Sequence, residues 1–177
     1  TELGQLRRSH YSNDLNASMD GTQVTVMGWV LTVRGHGNIS FATVRDKNGD
    51  LSIVAKKGDC PDEIREKISS LKAHSSIGVT GTIKASEKAP SGFEIIPTEL
   101  RVFSEVTTIP PFEPTAKTVK NIDTRLEVRP IDLRRNVLQH VFKTRSLVLK
   151  TIRDYFIDQN FVEINTPKMI ATATEGG

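Results

Sequence analysis

Cysteine is nearly missing from this sequence. Cys60 stands alone, so no internal disulfide can form, and no Cys/His grouping has the spacing of a zinc site. No resident metal is expected. Long hydrophobic runs are missing too: the apolar stretch Met27 to Leu31 falls far short of the ~18 residues of a membrane helix. The start, Thr1-Glu2-Leu3-Gly4, lacks the charged-then-apolar pattern of a secretory leader. These absences predict a soluble, cytoplasmic chain with no membrane partner. Charge of one sign is scarce as well, since 24 Lys plus Arg against 21 Asp plus Glu leave a net +3. Residues 1–105 carry 13 basic and 13 acidic side chains, and residues 106–177 carry 11 and 8. A neutral first part argues against nucleic-acid binding by a broad electrostatic footprint; any such binding must rest on reading a few bases. Apolar residues make up 37%, or about 44% with the glycines, close to the usual globular share. A wholly disordered or collagen-like chain is excluded.

Residues 23–34 alternate loosely and are rich in Val and Thr, which predicts a strand; 38–46 and 50–56 predict two more. Between the last two, Lys47-Asn48-Gly49 predicts a tight turn, with Asn-Gly supplying positive φ. Asp59-Cys60-Pro61-Asp62-Glu63 looks like a helix start, with Asp59 or Cys60 near the cap and Pro61 near the first turn. Ile64, Ile68 and Leu71 then share one helical face. Strands at 76–84 and 93–103 come next, joined by a small polar loop from Ala85 to Gly92. Three strands, a helix and two strands are the order of a five-stranded OB-fold barrel. Another small barrel without a ligand fits the same pattern.

From 106 to 131 the chain carries Pro110, Pro111, Pro114 and Pro130 and little periodicity, which marks a linker. Asp132 to Asn160 predicts one long helix, on which Val137, Val141, Val148, Ile152 and Tyr155 recur at helical spacings. Phe161 to Asn165 alternates like a strand before Pro167. One helix and one strand cannot enclose a core, so this part must pack on another copy or belong to a larger domain. The expected architecture is mainly β with α: an OB-fold over 1–105, a hinge over 106–131, and an incomplete α/β domain over 132–177.

The helix–strand–proline run from Ile152 to Pro167 resembles motif 1 of the class II aminoacyl-tRNA synthetases. Upstream, Asn121-Ile-Asp-Thr-Arg-Leu-Glu-Val-Arg-Pro-Ile-Asp-Leu-Arg-Arg135 is similar to the hinge of the subgroup with an N-terminal OB-fold. The ending Thr166-Pro-Lys-Met-Ile-Ala-Thr-Ala-Thr-Glu-Gly-Gly177 looks like the aspartate-specific enzymes in their archaeal and eukaryotic form. The resemblance runs from Arg8-Ser-His-Tyr-Ser12 onward, covers nearly the whole chain, and gives the 132–177 segment as the first helix and strand of the class II catalytic domain. Fragments of the asparagine or lysine enzymes, or a non-catalytic tRNA- or single-strand-binding module, are the rival readings.

The resemblance implies an ATP- and Mg²⁺-dependent aspartate–tRNA ligase as the full-length parent, a homodimer through motif 1, and Pro167 close to the partner's active site. Glu175 matches the glutamate that meets the α-ammonium of aspartate. The phosphate-binding arginines of the family lie in motifs 2 and 3, which do not occur here, and no Walker-type loop replaces them. The 177-residue chain is therefore expected to hold no catalytic residue and to be inactive alone. The OB-fold face is implied to bind the anticodon: Phe41 stacks on the middle base, Arg34 contacts the same region, and Glu94 meets the first base, a guanine. Ser52 stands where the family usually has glutamine, a shorter side chain with one donor. Pro90 stands where proline accompanies relatives that charge both tRNA-Asp and tRNA-Asn, and lysine accompanies strict ones. The four histidines are scattered, and only His36, between Gly35 and Gly37, is placed to touch RNA.

Overall fold

The computed structural model describes residues 4, 6–108, 110–111, 113 and 120–167. The chain divides into two compact units, Thr1–Ile109 and Pro110–Gly177. The first is built from β1 (Gln23–His36), β2 (Ile39–Arg45), β3 (Asp50–Lys56), α1 (Asp62–Ser70), β4 (Ser76–Ala85) and β5 (Phe93–Ser104). The strands close into a barrel in the order β1-β2-β3-β5-β4. All neighbours are antiparallel except β3 and β5, which meet in parallel with Ile53 opposite Ile95. This is the five-stranded OB-fold topology that the strand order predicts.

Alternation decides which side chains go inside. Val24, Val26 and Val30 of β1, Ala42 and Val44 of β2, Leu51, Ile53 and Ala55 of β3, Ile77, Val79 and Ile83 of β4, and Phe93 and Ile95 of β5 form one buried cluster. Helix α1 packs across β1, β2, β3 and β5 and adds Ile64 and Ile68 to that cluster, with Leu71 partly buried beside it. Nine residues are too few for a helix to stand alone in water; burying Ile68, worth about 1.5–3 kcal/mol, is what holds it. Its cap is Pro61 rather than Asp59 or Cys60.

Two glycines are required by closure. A Cβ on Gly28 would lie 2.3 Å from the Arg45 carbonyl oxygen, and one on Gly81 would lie 2.4 Å from that of Ile96. The β4–β5 ladder carries a bulge beside Gly81, where Thr98 is the extra residue and Pro97 is paired with Gly81; a proline within a sheet is tolerated next to such a bulge.

The β2–β3 connection differs from expectation. Neither Asn48 nor Gly49 has positive φ. Instead the carboxylate of Asp46 accepts from the backbone N–H groups of Asn48 and Gly49 at 2.7 and 3.0 Å. The same group accepts from Ser12 through its N–H and hydroxyl at 2.6 and 2.7 Å. A buried aspartate, not the Asn-Gly pair, shapes the turn, and it ties the N-terminal segment to it.

In the second unit, α2 (Ile122–Glu127) and α3 (Arg129–Asp132) precede α4 (Asn136–Asp158). Residues 122–131, expected as linker, are thus largely helical. Asn121 caps α2 by accepting from the Thr124 N–H at 3.0 Å, and Pro130 stands in the first turn of α3, where proline is tolerated. The long helix starts at Asn136, not Asp132. Asp132 ends α3, fully buried, and its carboxylate accepts from Arg125 at 3.0 Å, from Arg135 at 3.5 Å and from Arg129. A turn over residues 133–135 separates the two helices, and three guanidinium groups converge on the carboxylate that precedes it.

The strand expected at 161–165 does not form. The segment is extended but has no hydrogen-bonded neighbour strand among the described residues, and a strand needs one. It is pinned to α4 by the Arg153–Glu163 pair at 3.0 Å and by the Phe156 and Phe161 rings, edge to face at 5.4 Å.

Candidate nucleic-acid interface

On β1 the parity of side chains changes midway. Val30 pairs with Val44, but Thr32 pairs with Thr43, so Leu31 is an extra residue. A bulge re-aims the side chains beyond it. Before Leu31 the even-numbered valines point inward; after it, Val33 packs against the core while Thr32, Arg34 and His36 are exposed. Without the bulge Arg34 would point into the barrel. The loose alternation of the sequence at 23–34 is this bulge.

The outward residues of β1, β2 and β3, with the β4–β5 loop, line one open groove of about 850 Å³. Arg34, Phe41, Ser52, Pro90 and Glu94 all lie in it, as does His36. Arg34 faces Phe41 across the β1–β2 ladder, and Phe41 faces Val54 on β3. Phe41 is 39% exposed, whereas Phe93 is 2% exposed inside the barrel. Among the described residues of the first unit, Phe41 is the one large apolar side chain left exposed. Such exposure forfeits burial energy, and an aromatic so placed suits a partner with a π-face. Val54 and Ala89 are buried but stand outside the core cluster, and both line the groove.

The groove also collects charge that the first unit as a whole lacks. Arg34, Lys56, Lys84 and Lys88 line it against Asp59 and Glu94. Lys84 stands opposite Glu94 across β4 and β5. Among the described residues the side chains of Arg34, Ser52, Lys56, Lys84, Lys88 and Glu94 make no hydrogen bond or ion pair. Polar groups gathered at an aromatic floor and left unpaired are what a ligand with edges and charge requires. Sequence reasoning missed Lys56, Lys84 and Lys88; counting alternate residues from Ser52 along β3 finds Lys56, and pairing β4 with β5 finds Lys84.

Pro90 is exposed in a loop closed by the Ser86 N–H donating to the Gly92 carbonyl at 2.9 Å, with Gly92 at φ +78°. Pro167 is exposed at the end of the extended segment after α4. Glu175 lies outside the described residues.

Two carboxylates are held in their charged form. Burial alone would raise Asp46, but hydrogen bonds from Ser12, Asn48 and Gly49 outweigh it and hold the group below its ordinary 3.8. Burial would likewise raise Asp132, and Arg125, Arg135 and Arg129 bring it below. Burial pushes the Cys60 thiol up, which makes it a poor nucleophile. Among the described residues no group of three His, Cys, Asp or Glu side chains is placed to hold a metal ion, and no helix is long and apolar enough to cross a membrane.

Residues 24–103 match the family model of the OB-fold nucleic acid binding domain, and residues 121–177 match that of the class II tRNA synthetases (D, K and N). The aspartate–tRNA(Asp/Asn) ligase of Methanocaldococcus jannaschii is 46% identical over 171 residues, covering 97% of this chain and 39% of that protein. The asparaginyl-tRNA synthetase of Pyrococcus horikoshii complexed with asparaginyl-adenylate superposes with a TM-score of 0.85 at 26% identity, over 98% of this chain and 39% of that one. The aspartyl-tRNA synthetase of Entamoeba histolytica gives 0.83 at 26% identity, over 96% and 41%. This chain thus spans 39% to 41% of the length of these relatives. With an OB-fold barrel followed by a segment of the class II synthetases (D, K and N), and likeness over nearly every residue to an aspartate–tRNA(Asp/Asn) ligase, the chain belongs to the class II aminoacyl-tRNA synthetases.

Proposed function

We propose that the whole enzyme is an ATP-dependent aspartate–tRNA ligase that charges tRNA-Asp and also tRNA-Asn, and that the barrel groove holds the anticodon. The observation that carries this is the gathering of Arg34, Phe41, Ser52, Pro90 and Glu94 around one open groove with an exposed aromatic floor. Phe41 offers a face on which an unpaired base stacks, the usual way in which single-stranded RNA is held for reading. Glu94 is an acceptor for the N1–H and N2–H₂ donors of guanine. Arg34, Lys56, Lys84 and Lys88 attract the phosphate backbone, so affinity falls as salt rises.

We divide the parent into an anticodon-binding domain over 1–105, a hinge over 106–131 and a catalytic domain starting at 132. In that scheme the extended segment ending at Pro167 meets a second copy of the chain, and Glu175 binds aspartate. The parent works in the cytoplasm, as translation does. ATP and Mg²⁺ serve the whole enzyme, but the described residues here do not fit them: Asp132, the buried carboxylate of the second unit, is filled by three arginines. Their site belongs to the remaining length of the relatives.

The purified 177-residue chain should bind a tRNA-Asp transcript, weakly and with salt sensitivity, and should catalyse neither aminoacylation nor aspartate-dependent pyrophosphate exchange. Loss of binding on replacing the whole anticodon supports the reading. Equal binding of all anticodons contradicts it, and so does charging by the isolated chain.

A further inference from the structure

Strand β1 serves two partners in turn. Its first half, Gln23–Trp29, pairs with β4, and its second half, Trp29–His36, pairs with β2. Along the first half, among the described residues, no strand pairs with the side away from β4. Such an open edge carries N–H and C=O groups that invite another strand, and natural edges are defended by lysine, proline or an inward charge. Gln23-Val24-Thr25-Val26-Met27 has none of these.

The N-terminal segment lies there instead. The Ser9 N–H donates to the Thr25 carbonyl at 2.9 Å, and the Thr25 N–H donates to the Ser9 hydroxyl at 2.8 Å. The Arg8 guanidinium donates to the Met27 carbonyl at 2.6 Å. Side chains thus satisfy two of these three edge groups, so the segment closes the edge without becoming a further strand with an edge of its own. It is fastened at both ends. Leu6 packs over Gly78, where an added Cβ would lie 2.7 Å from it, and Leu15 is buried in the core cluster. Between them, Ser12 donates to Asp46 through its N–H and its hydroxyl at 2.6 and 2.7 Å. Those two bonds go to a carboxylate, which makes them stronger than the neutral Ser9–Thr25 bonds.

We propose that residues 6–15 are a guard strap over the open edge of β1, latched by Ser12 on Asp46, and that the partner it keeps away is a second copy of this chain pairing through the same edge. The strap stands apart from the groove and does not depend on what the groove holds. A second copy is the occupant because this edge complements itself. Turned about a two-fold axis, Thr25 to Met27 meets its own alternating donors and acceptors in antiparallel order. The segment has no charge to repel its copy and no proline to interrupt the ladder.

The test uses the 177-residue chain. Ser12→Pro removes both latch bonds. Ser12 opens a single helical turn, where proline fits, and Tyr11 is already extended at φ −94° and ψ 166°, as a residue before proline must be. The variant should speed hydrogen exchange at the Thr25 amide about tenfold or more, while the Val26 amide, on the β4 side, keeps its protection. Self-association, read by sedimentation equilibrium, should rise about tenfold over wild type. Adding Thr25→Pro should abolish that excess, because the Thr25 N–H serves the edge and not the β4 ladder. The exposed apolar face of α4 is the same in every variant and cancels in the comparison. Arg8→Ala with Ser9→Ala loosens the strap at the edge itself and should give the same two rises, so the test stands even where Ser12→Pro fails to fold. Melting curves establish which variants are folded. A freed Thr25 amide without a rise in association, or an excess that survives Thr25→Pro, overturns the guard. A Thr25 amide still protected in folded Ser12→Pro overturns the latch.

Discussion

Phe41 and Phe93 show how position on a strand separates two residues of one type. Each lies in an alternating segment, and composition gives both the same preference for the core. Phe93 shares inward parity with Ile95 and is 2% exposed; Phe41 has the opposite parity to Ala42 and Val44 and is 39% exposed. Parity was legible in the sequence for β2, where the pattern is regular. It was not for Thr32 and Arg34, because nothing in the residue types announces the extra residue at Leu31. Pro90 carries a prediction at this scale. Lysine in its place would add three donors and a charge to the groove, whereas proline fixes φ and adds neither. The family resemblance implies that the two tRNAs differ at the third anticodon base, cytosine against uracil, and telling these apart needs a polar group at the position-4 edge. The full-length enzyme should therefore charge tRNA-Asn within about tenfold of tRNA-Asp, a gap of ~1.4 kcal/mol or less, and Pro90→Lys should widen it. Comparing the two transcripts with both proteins is the check; a wild-type preference of about a hundredfold contradicts it.

Among the elements, two groups are anchored by single buried carboxylates. Asp46 holds the N-terminal segment and the β2–β3 turn, and Asp132 holds α2, α3 and the start of α4. Both carboxylates have folded pKa values below the ordinary 3.8. A lowered carboxylate pKa means stability that is present above 3.8 and is lost as pH falls through the lower, folded value. Thermal stability should therefore drop steeply below pH 3.8, and Asp46→Asn should flatten the part of that dependence belonging to the barrel. At neutral pH the same variant should lose about 1–3 kcal/mol, because it removes an acceptor from buried donors. Melting curves for both proteins across acid pH measure this; an unchanged acid slope contradicts it. The five strands and α1 were legible in the sequence from their apolar periods and the breaks between them, although the bulge in β1, the β2–β3 turn and the cap of α1 were not. Helices α2 and α3 were not. The prolines nearby suggested linker, and the arginine–aspartate cluster that organises them is formed by residues up to ten apart in the chain. The segment at 161–165 shows the converse: its alternation is real, but alternation is only the side-chain half of a strand. The backbone half needs a neighbour that the described residues do not supply. For α4, helical spacing predicted a helix correctly, yet none of its residues is buried, so its apolar face finds no cover among the described residues of its own unit.

For the whole molecule, the barrel and the helical unit differ in completeness. The barrel closes on itself and buries a single core. The helical unit leaves Val137, Val141, Val148, Ile152 and Tyr155 exposed, the apolar face that the sequence predicts to pack on another copy or within a larger domain. The central claim is that the barrel groove holds an anticodon by stacking on Phe41. Paired binding and melting of wild type and Phe41→Ala with tRNA-Asp test it most directly. The expected result is a loss of about 1–3 kcal/mol in affinity with the barrel still folded. Unchanged affinity per folded molecule, together with the loss of about 3–5 kcal/mol of stability typical of a core phenylalanine, would contradict it.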